Sequence, residues 1–216
     1  MKGLPGRIFL HELHGSRFFR PETDTFSGLQ SFNDEFLKSE EDRSFKVTAN
    51  TSTVIIPITG DLIYKDNLTR KATEVNVGQL LIVDCPASRR FKISNPFKDH
   101  EINFLMLNIE NQRISGDTSK FIHDFEFGHA VNKFLAITKN CPYKISIGQF
   151  NGRSETEYIL NETSFFCFAL SGAFEINGRL LHPKDALALW DTSKVELEAL
   201  SNNAVLVAVE LPYIRV

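Results

Sequence analysis

Short apolar runs, alternating or continuous and cut off by turn residues, repeat along nearly the whole chain. TSTVIIPITGDLIYKD (51–66) and VNVGQLLIVDCP (75–86) are rich in β-branched residues, and the second ends at a proline. EINFLMLNIE (101–110) is a continuous apolar run of strand length, the pattern of a strand buried on both faces. Farther on, SFFCFALSGAFEINGRLLH (164–182) places Asn177-Gly178 between apolar runs, and because both residues tolerate positive φ the pair predicts a tight hairpin. DALALWD, KVELEAL and AVLVAVELP follow at short spacing. Many short strands with frequent turns predict an all-β sandwich or barrel.

Helix signals are few. SFNDEFLKSEEDRS (31–44) predicts a short acidic helix or turn, and DFEFGHAVNKFLAI (124–137) predicts one more. Ser115–Lys120 (SGDTSK) turns small and polar and reads as a linker. Across it the chain echoes itself: ITGDLIY (58–64) and LSGAFEI (170–176) share an apolar-small-Gly-strand pattern, and each is followed by a second apolar run, VGQLLIV and PKDALAL. Gly60 and Gly172 stand 112 residues apart, about half the chain. A duplicated β-domain accounts for both the echo and the length. The predicted division is 1–115 and 120–216, with strands exchanged between the halves at the termini.

The 216 residues are 42% hydrophobic and 24% charged, the balance of a globular chain. With 24 basic and 27 acidic side chains the net charge is −3, so the basic field that phosphate backbones require is lacking and no nucleic-acid contact is expected. No apolar window reaches the roughly 20 residues of a membrane span. The start of the sequence meets charge and His too early for a secretory signal, so a cytoplasmic protein is expected, with no membrane contact. Cys85, Cys141 and Cys167 are odd in number and lack a CxxC spacing, which predicts reduced thiols. GxGxxG, Walker, HExxH and GxSxG motifs are absent, so nucleotide, zinc-protease and α/β-hydrolase chemistry find no support in the sequence.

Gly78, Pro86 and Asn95 fit the pattern G-x(5–7)-P-x-G-x2-H-x3-N, with Ser88 standing for the second Gly and Phe91 for the His. That pattern resembles the second motif of the cupin superfamily. The first motif, G-x5-H-x-H-x(3–4)-E-x6-G, would close on Gly60. FRPETDTFSGLQSFNDEFL is similar to the stretch of the pirin family in which an HTFSF run leads to a DPEF-like turn, and FEINGRLL, PKDALAL and VELP resemble that family's C-terminal barrel. The resemblance to pirins, a family that includes bacterial quercetinases, implies an all-β bicupin: two cupin-type antiparallel barrels with few short helices. It also implies one metal, usually iron, held in the N-terminal barrel by three His and one Glu. Counted from Gly60, those positions fall at Lys46, Thr48 and near Thr53, with Phe91 in the place of the last His. None is a metal ligand of the right kind.

The reading that follows is a pirin-like bicupin without metal or other cofactor, a binding protein rather than an enzyme. It would take a small apolar ligand or a protein partner, with Lys46, Thr48, Thr53 and Phe91 lining the N-terminal pocket. The alternative is a dioxygenase of quercetinase type that holds iron or another divalent metal through ligands not identified here. A third reading makes Lys46 the acid/base of metal-free isomerase chemistry. The remaining candidates are scattered. His11 and His14 stand near one end of the chain, His123 and His129 flank Asp124 and Glu126, and His100 and His182 read as loop residues. Cys85 reads as an inert, half-buried thiol, with mild thiolate activation by Arg89 and Arg90 as the alternative. Trp190, Phe45, Phe104, Phe165, Phe166 and Phe168 read as core, and in the second barrel Phe165, Lys184 and Asp185 occupy the motif positions.

Overall fold

The computed structural model describes residues 5–19, 25–114, 119–128 and 131–212. They form twenty strands and one four-residue helix. The chain begins with β1 (Gly6–Phe9) and α1 (His11–His14). A first unit, Ser16–Phe125, then carries β2 (Arg17–Phe18), β3 (Leu29–Leu37), β4 (Asp42–Lys46), β5 (Thr51–Thr59), β6 (Leu62–Asp66), β7 (Ala72–Val75), β8 (Gln79–Cys85), β9 (Arg90–Ser94), β10 (Ile102–Glu110) and β11 (Ser119–Asp124). The second unit holds β12 (Lys133–Ala136), β13 (Lys144–Phe150), β14 (Glu155–Ile159), β15 (Ser164–Ser171), β16 (Phe174–Ile176), β17 (Arg179–Leu181), β18 (Ala186–Trp190), β19 (Lys194–Ala199) and β20 (Ala204–Leu211).

The duplication foreseen from the Gly60 and Gly172 echo is visible in the strand order. The first unit has sheets β11-β8-β5-β10-β3-β2 and β4-β9-β6-β7; the second has β1-β18-β15-β20-β13-β12 and β14-β19-β16-β17. Position by position the two lists match, with one exchange: the place held by β11 in the first unit is filled in the second by β1 from the far end of the chain. Phe9 pairs with Ala186 and Gly6 with Leu189, all antiparallel. The unit boundaries therefore differ from the predicted 1–115 and 120–216: residues up to Gly15 belong with the second unit, and β11 belongs with the first. Of the predicted linker, 115–118 lie outside the described residues, while Ser119 and Lys120 begin β11.

Each unit is a two-sheet sandwich, six strands and four, rather than one continuously bonded barrel. In the first, Ile55, Val83 and Met106 of the larger sheet share one core with Tyr64, Phe91 and Ile93 of the smaller. The second is built alike from Phe165, Leu187 and Leu206 against Phe174, Val195 and Leu197. Strand alternation selects these faces, as in β6, where Leu62, Tyr64 and Asp66 are buried between half-buried neighbours. The two echoed glycines do the same job in each unit. Gly60 has φ +75° and a Cβ there would meet Ile102 at 2.5 Å; Gly172 has φ +71° and a Cβ would meet Ala204 at 2.6 Å. Asn177 and Gly178 both adopt positive φ, forming the hairpin predicted between β16 and β17.

Neither helix signal becomes a helix, though the turn allowed as the alternative for 31–44 is present between β3 and β4. Residues 31–44 form most of β3, a turn and the start of β4, and 124–137 hold the end of β11 and all of β12. In β3 the burial pattern of LQSFNDEFL matches a strand covered on both faces, so its polar residues report buried hydrogen bonds instead of a solvated helix face. Asn103, for example, donates to the Asp34 carboxylate at 2.7 Å and to the Glu35 carbonyl at 3.0 Å. No helix among the described residues is long and apolar enough to cross a membrane.

Candidate functional site

Beside the first unit's core, β6, β8 and the turn before β9 bring Cys85 and Arg89 together with two residues that the sequence motifs did not single out, Tyr64 and Asp66. Alternation along LIYKD points Tyr64 and Asp66 inward, and both are buried. Asp66 also opens the DNLT turn: its carboxylate accepts the amides of Leu68 at 2.7 Å and Thr69 at 3.0 Å, and its other oxygen accepts Arg89 Nη2 at 3.1 Å. Burial drives the Asp66 carboxyl upward, but the Thr69 and Leu68 amides and the Arg89 guanidinium outweigh it, so the group stays ionised below its ordinary range. Cys85, at the end of β8, shares a hydrogen bond with Thr53 of β5, whose hydroxyl donates to Asn108 at 2.8 Å.

Two buried donors in this group have no acceptor among the described residues: the Tyr64 hydroxyl and Arg89 Nε. Burial pushes the Tyr64 hydroxyl far up, so it remains a neutral donor. Lys120 Nζ lies 5.6 Å from the Tyr64 ring centroid and donates to the Thr73 hydroxyl at 2.8 Å, closing one side. Burial likewise raises the Cys85 thiol to about 11, with Thr53 and Arg89 only partly opposing, so at neutral pH this is a buried, unactivated thiol and the alternative of activation by the neighbouring arginines falls away.

The residues predicted to line the pocket do not converge. Phe91 is buried, stacked on Phe45 at 5.5 Å and tilted against Tyr64 at 5.3 Å between ring centroids. Thr53 is buried beside Cys85. Lys46 and Thr48 are exposed, while Phe45 packs on the core and Val47 is buried within it. Counting back from Gly60 thus lands one residue out of phase with the inward face of this segment, and in extended chain one residue exchanges inside for outside. Lys46, the acid/base of the third reading, is exposed on β4.

The other candidates lie apart. His11 Nδ1 is 2.9 Å from the Gly15 carbonyl, and His100 Nδ1 is 2.7 Å from Asp99 Oδ1 with its ring 4.1 Å from that of Phe97. His123 is half-buried on β11, Asp124 accepts Gln79 Nε2 at 2.8 Å, and His129 lies outside the described residues. Asp185 is buried and anchors the start of the chain, accepting the His11 amide at 2.8 Å and the His182 amide at 2.9 Å. Lys184 sits 5.6 Å over the Phe168 ring, Phe165 is core, and Trp190 is half-buried at the end of β18. Among the described residues no three His, Cys, Asp or Glu side chains meet as a metal-holding group.

Residues 135–210 match the quercetinase C-terminal cupin domain family. No curated relative matches the sequence. Solved structures share the fold over nearly the whole chain. YhhW from Escherichia coli superposes with a TM-score of 0.79 at 14% identity, covering 98% of this chain and 100% of that one. The same protein, described as a bacterial pirin, has also been solved in complex with nickel(II), with a TM-score of 0.79 at 15% identity over 97% and 100% of the two chains. Quercetin 2,3-dioxygenase from Acinetobacter baumannii gives a TM-score of 0.68 at 15% identity over 98% of this chain and 82% of its own. At such identities the likeness is one of fold, and it agrees with the duplicated strand order and with the domain match in the second unit. The chain thus has the duplicated, two-unit cupin fold of these structures, and residues 135–210 carry its match to the quercetinase C-terminal cupin domain.

Proposed function

We propose that this bicupin binds a small ligand with an apolar body and an acceptor group beside Tyr64 and Arg89 in its first unit, and that it does so without a metal. The observation that carries the reading is the fully buried Tyr64 hydroxyl, a neutral donor with no acceptor among the described residues. Leaving such a donor unpaired costs about 1–3 kcal/mol, and an incoming carbonyl or hydroxyl oxygen recovers it. Phe45, Phe91 and the Tyr64 ring offer the apolar surroundings.

The residues present do not fit the metal that the family resemblance implies. Where the last His ligand would stand, Phe91 lies between two rings. The donors nearby are a protonated thiol, a threonine hydroxyl engaged with Asn108, and the Asp66 carboxylate, already committed to two amides and Arg89. Divalent iron, nickel or zinc calls for several imidazole, thiolate or carboxylate ligands with free lone pairs.

The test is metal analysis of untagged protein after incubation with Fe(II), Mn(II), Ni(II) and Zn(II) and dialysis, followed by calorimetric titration with quercetin. The reading expects only traces of retained metal, and quercetin binding that Tyr64→Phe weakens. Stoichiometric metal together with oxygen uptake on quercetin would overturn it in favour of a dioxygenase.

A further inference from the structure

The duplication gives each unit an equivalent open side, between the last strand of the larger sheet and the first strand of the smaller. In the first unit these are β2 and β4. Here ions close the side: Arg17 of β2 and Arg43 of β4 both reach the buried Glu35, at 3.2 and 2.8 Å, and Arg43 also holds Glu41 at 2.7 Å. In the second unit the corresponding strands are β12 and β14, and between them lies a cleft of about 360 Å³.

Hydrogen-bonding groups converge on this cleft. Ser146 of β13 and Tyr158 of β14 are buried, with their hydroxyls 3.3 Å apart. Lys144 Nζ stands 4.7 Å over the Tyr158 ring and 3.5 Å from Glu210. Glu210, buried on β20, is held by the amides of Asn161 at 2.7 Å and Glu162 at 2.9 Å, which fixes the partner of Lys144. On the β12 side the half-buried Phe134 ring, edge-on to Tyr158 at 4.9 Å, supplies an apolar wall, Lys133 stands at the rim, and the one carboxylate in the lining, Glu157, is paired with Lys194 at 2.9 Å. Burial lowers the Lys144 ammonium pKa, but Tyr158 and Glu210 more than offset it, so the cleft keeps a cation at neutral pH.

We infer that this cleft binds a small planar carboxylate, its oxygens taken by Lys144, Ser146 and Tyr158 and its apolar face laid against Phe134. An ammonium and two hydroxyls directed at one space suit an oxyanion, and a single apolar wall suits a flat body. The inference is independent of the first-unit reading, since it uses other residues in another unit.

Benzoate is the probe, titrated calorimetrically into the full chain, with benzyl alcohol as its uncharged counterpart. The expectation is saturable one-to-one binding of benzoate, at least about tenfold weaker binding of benzyl alcohol, and a loss of about tenfold or more in Lys144→Met and in Tyr158→Phe. Thermal unfolding of each variant reports whether it has folded, and Tyr158→Phe, which keeps the ring, is the decisive one. Tyr64→Phe should leave benzoate binding unchanged. No saturable benzoate binding by the wild-type protein, equal affinity for benzyl alcohol, or wild-type affinity in a folded Tyr158→Phe would each overturn the inference.

Discussion

Asp66 shows how much one side chain organises here. It ends β6, caps the following turn and neutralises Arg89 in a place where both are largely shielded from water. Asp66→Ala removes the acceptor of two amides and strands a guanidinium, a loss expected to cost about 3 kcal/mol and measurable by urea denaturation. Cys85 gives a prediction in pH. A thiol whose pKa is raised by folding favours the folded state in its neutral form, so its contribution is whole below 9.0 and is lost as pH rises through about 11. Melting temperature should therefore fall across that window, and Cys85→Ala should shrink the fall. The same burial sets reactivity: with Cys85 and Cys167 buried and Cys141 half-exposed, a thiol reagent at neutral pH should label Cys141 first, which mass spectrometry of the labelled peptides checks. Sequence reading reached Cys85, Arg89 and Phe91 through motif position but passed over Tyr64 and Asp66. Their signal was present in the alternation of LIYKD, where an aromatic and a carboxylate share the inward face with Leu62, but a motif count anchored on His and Glu does not look there.

Among the elements, the strands were legible wherever both pattern and turn agreed. The hairpin at Asn177-Gly178 and the runs that became β5, β8 and β10 were readable because apolar content, β-branching and punctuation coincide. β3 was not, because its acidic and amide residues imitate a solvated helix while in the protein Asp34 and Glu35 are buried and paired; β4, an exposed or half-buried strand, lacks a continuous apolar face to announce it. The glycines at the β5–β6 and β15–β16 connections were legible as an echo, and their reason is steric. Gly60→Ala and Gly172→Ala each force a side chain into left-handed backbone and against a close neighbour, so each should destabilise by about 1–3 kcal/mol in thermal or urea unfolding. The ladder between β5 and β10 shifts register between Asn103 and Phe104, opposite Thr59 and Pro57, and the ladder between β15 and β20 shifts at the corresponding place, between Ala169 and Ser171. Such paired irregularities mark the two units as copies more firmly than the short sequence echo does.

At the scale of the molecule, each unit has its own core and its own pair of sheets, but only the first is drawn from one continuous stretch of chain. The second borrows β1, which covers the edge of β18, and Asp185 clamps the chain just beyond it. An Ile8→Pro substitution should therefore destabilise the second unit and leave the first untouched, seen as lost amide-exchange protection along β18 but not along β8. That exchange was foreseen from the sequence in outline, whereas its direction was not, since a short strand near one terminus carries no mark of which half it completes. The borrowed strand also sets an order of events during synthesis. Phe9 is made 177 residues before its partner Ala186. At translation rates of about 5–20 residues per second, that separation amounts to on the order of ten seconds or more. Through that interval β1 waits with its partner strand not yet made, whereas the first unit is complete at Phe125, 61 residues before Ala186, so β1 is made before the first unit and finds its place after it.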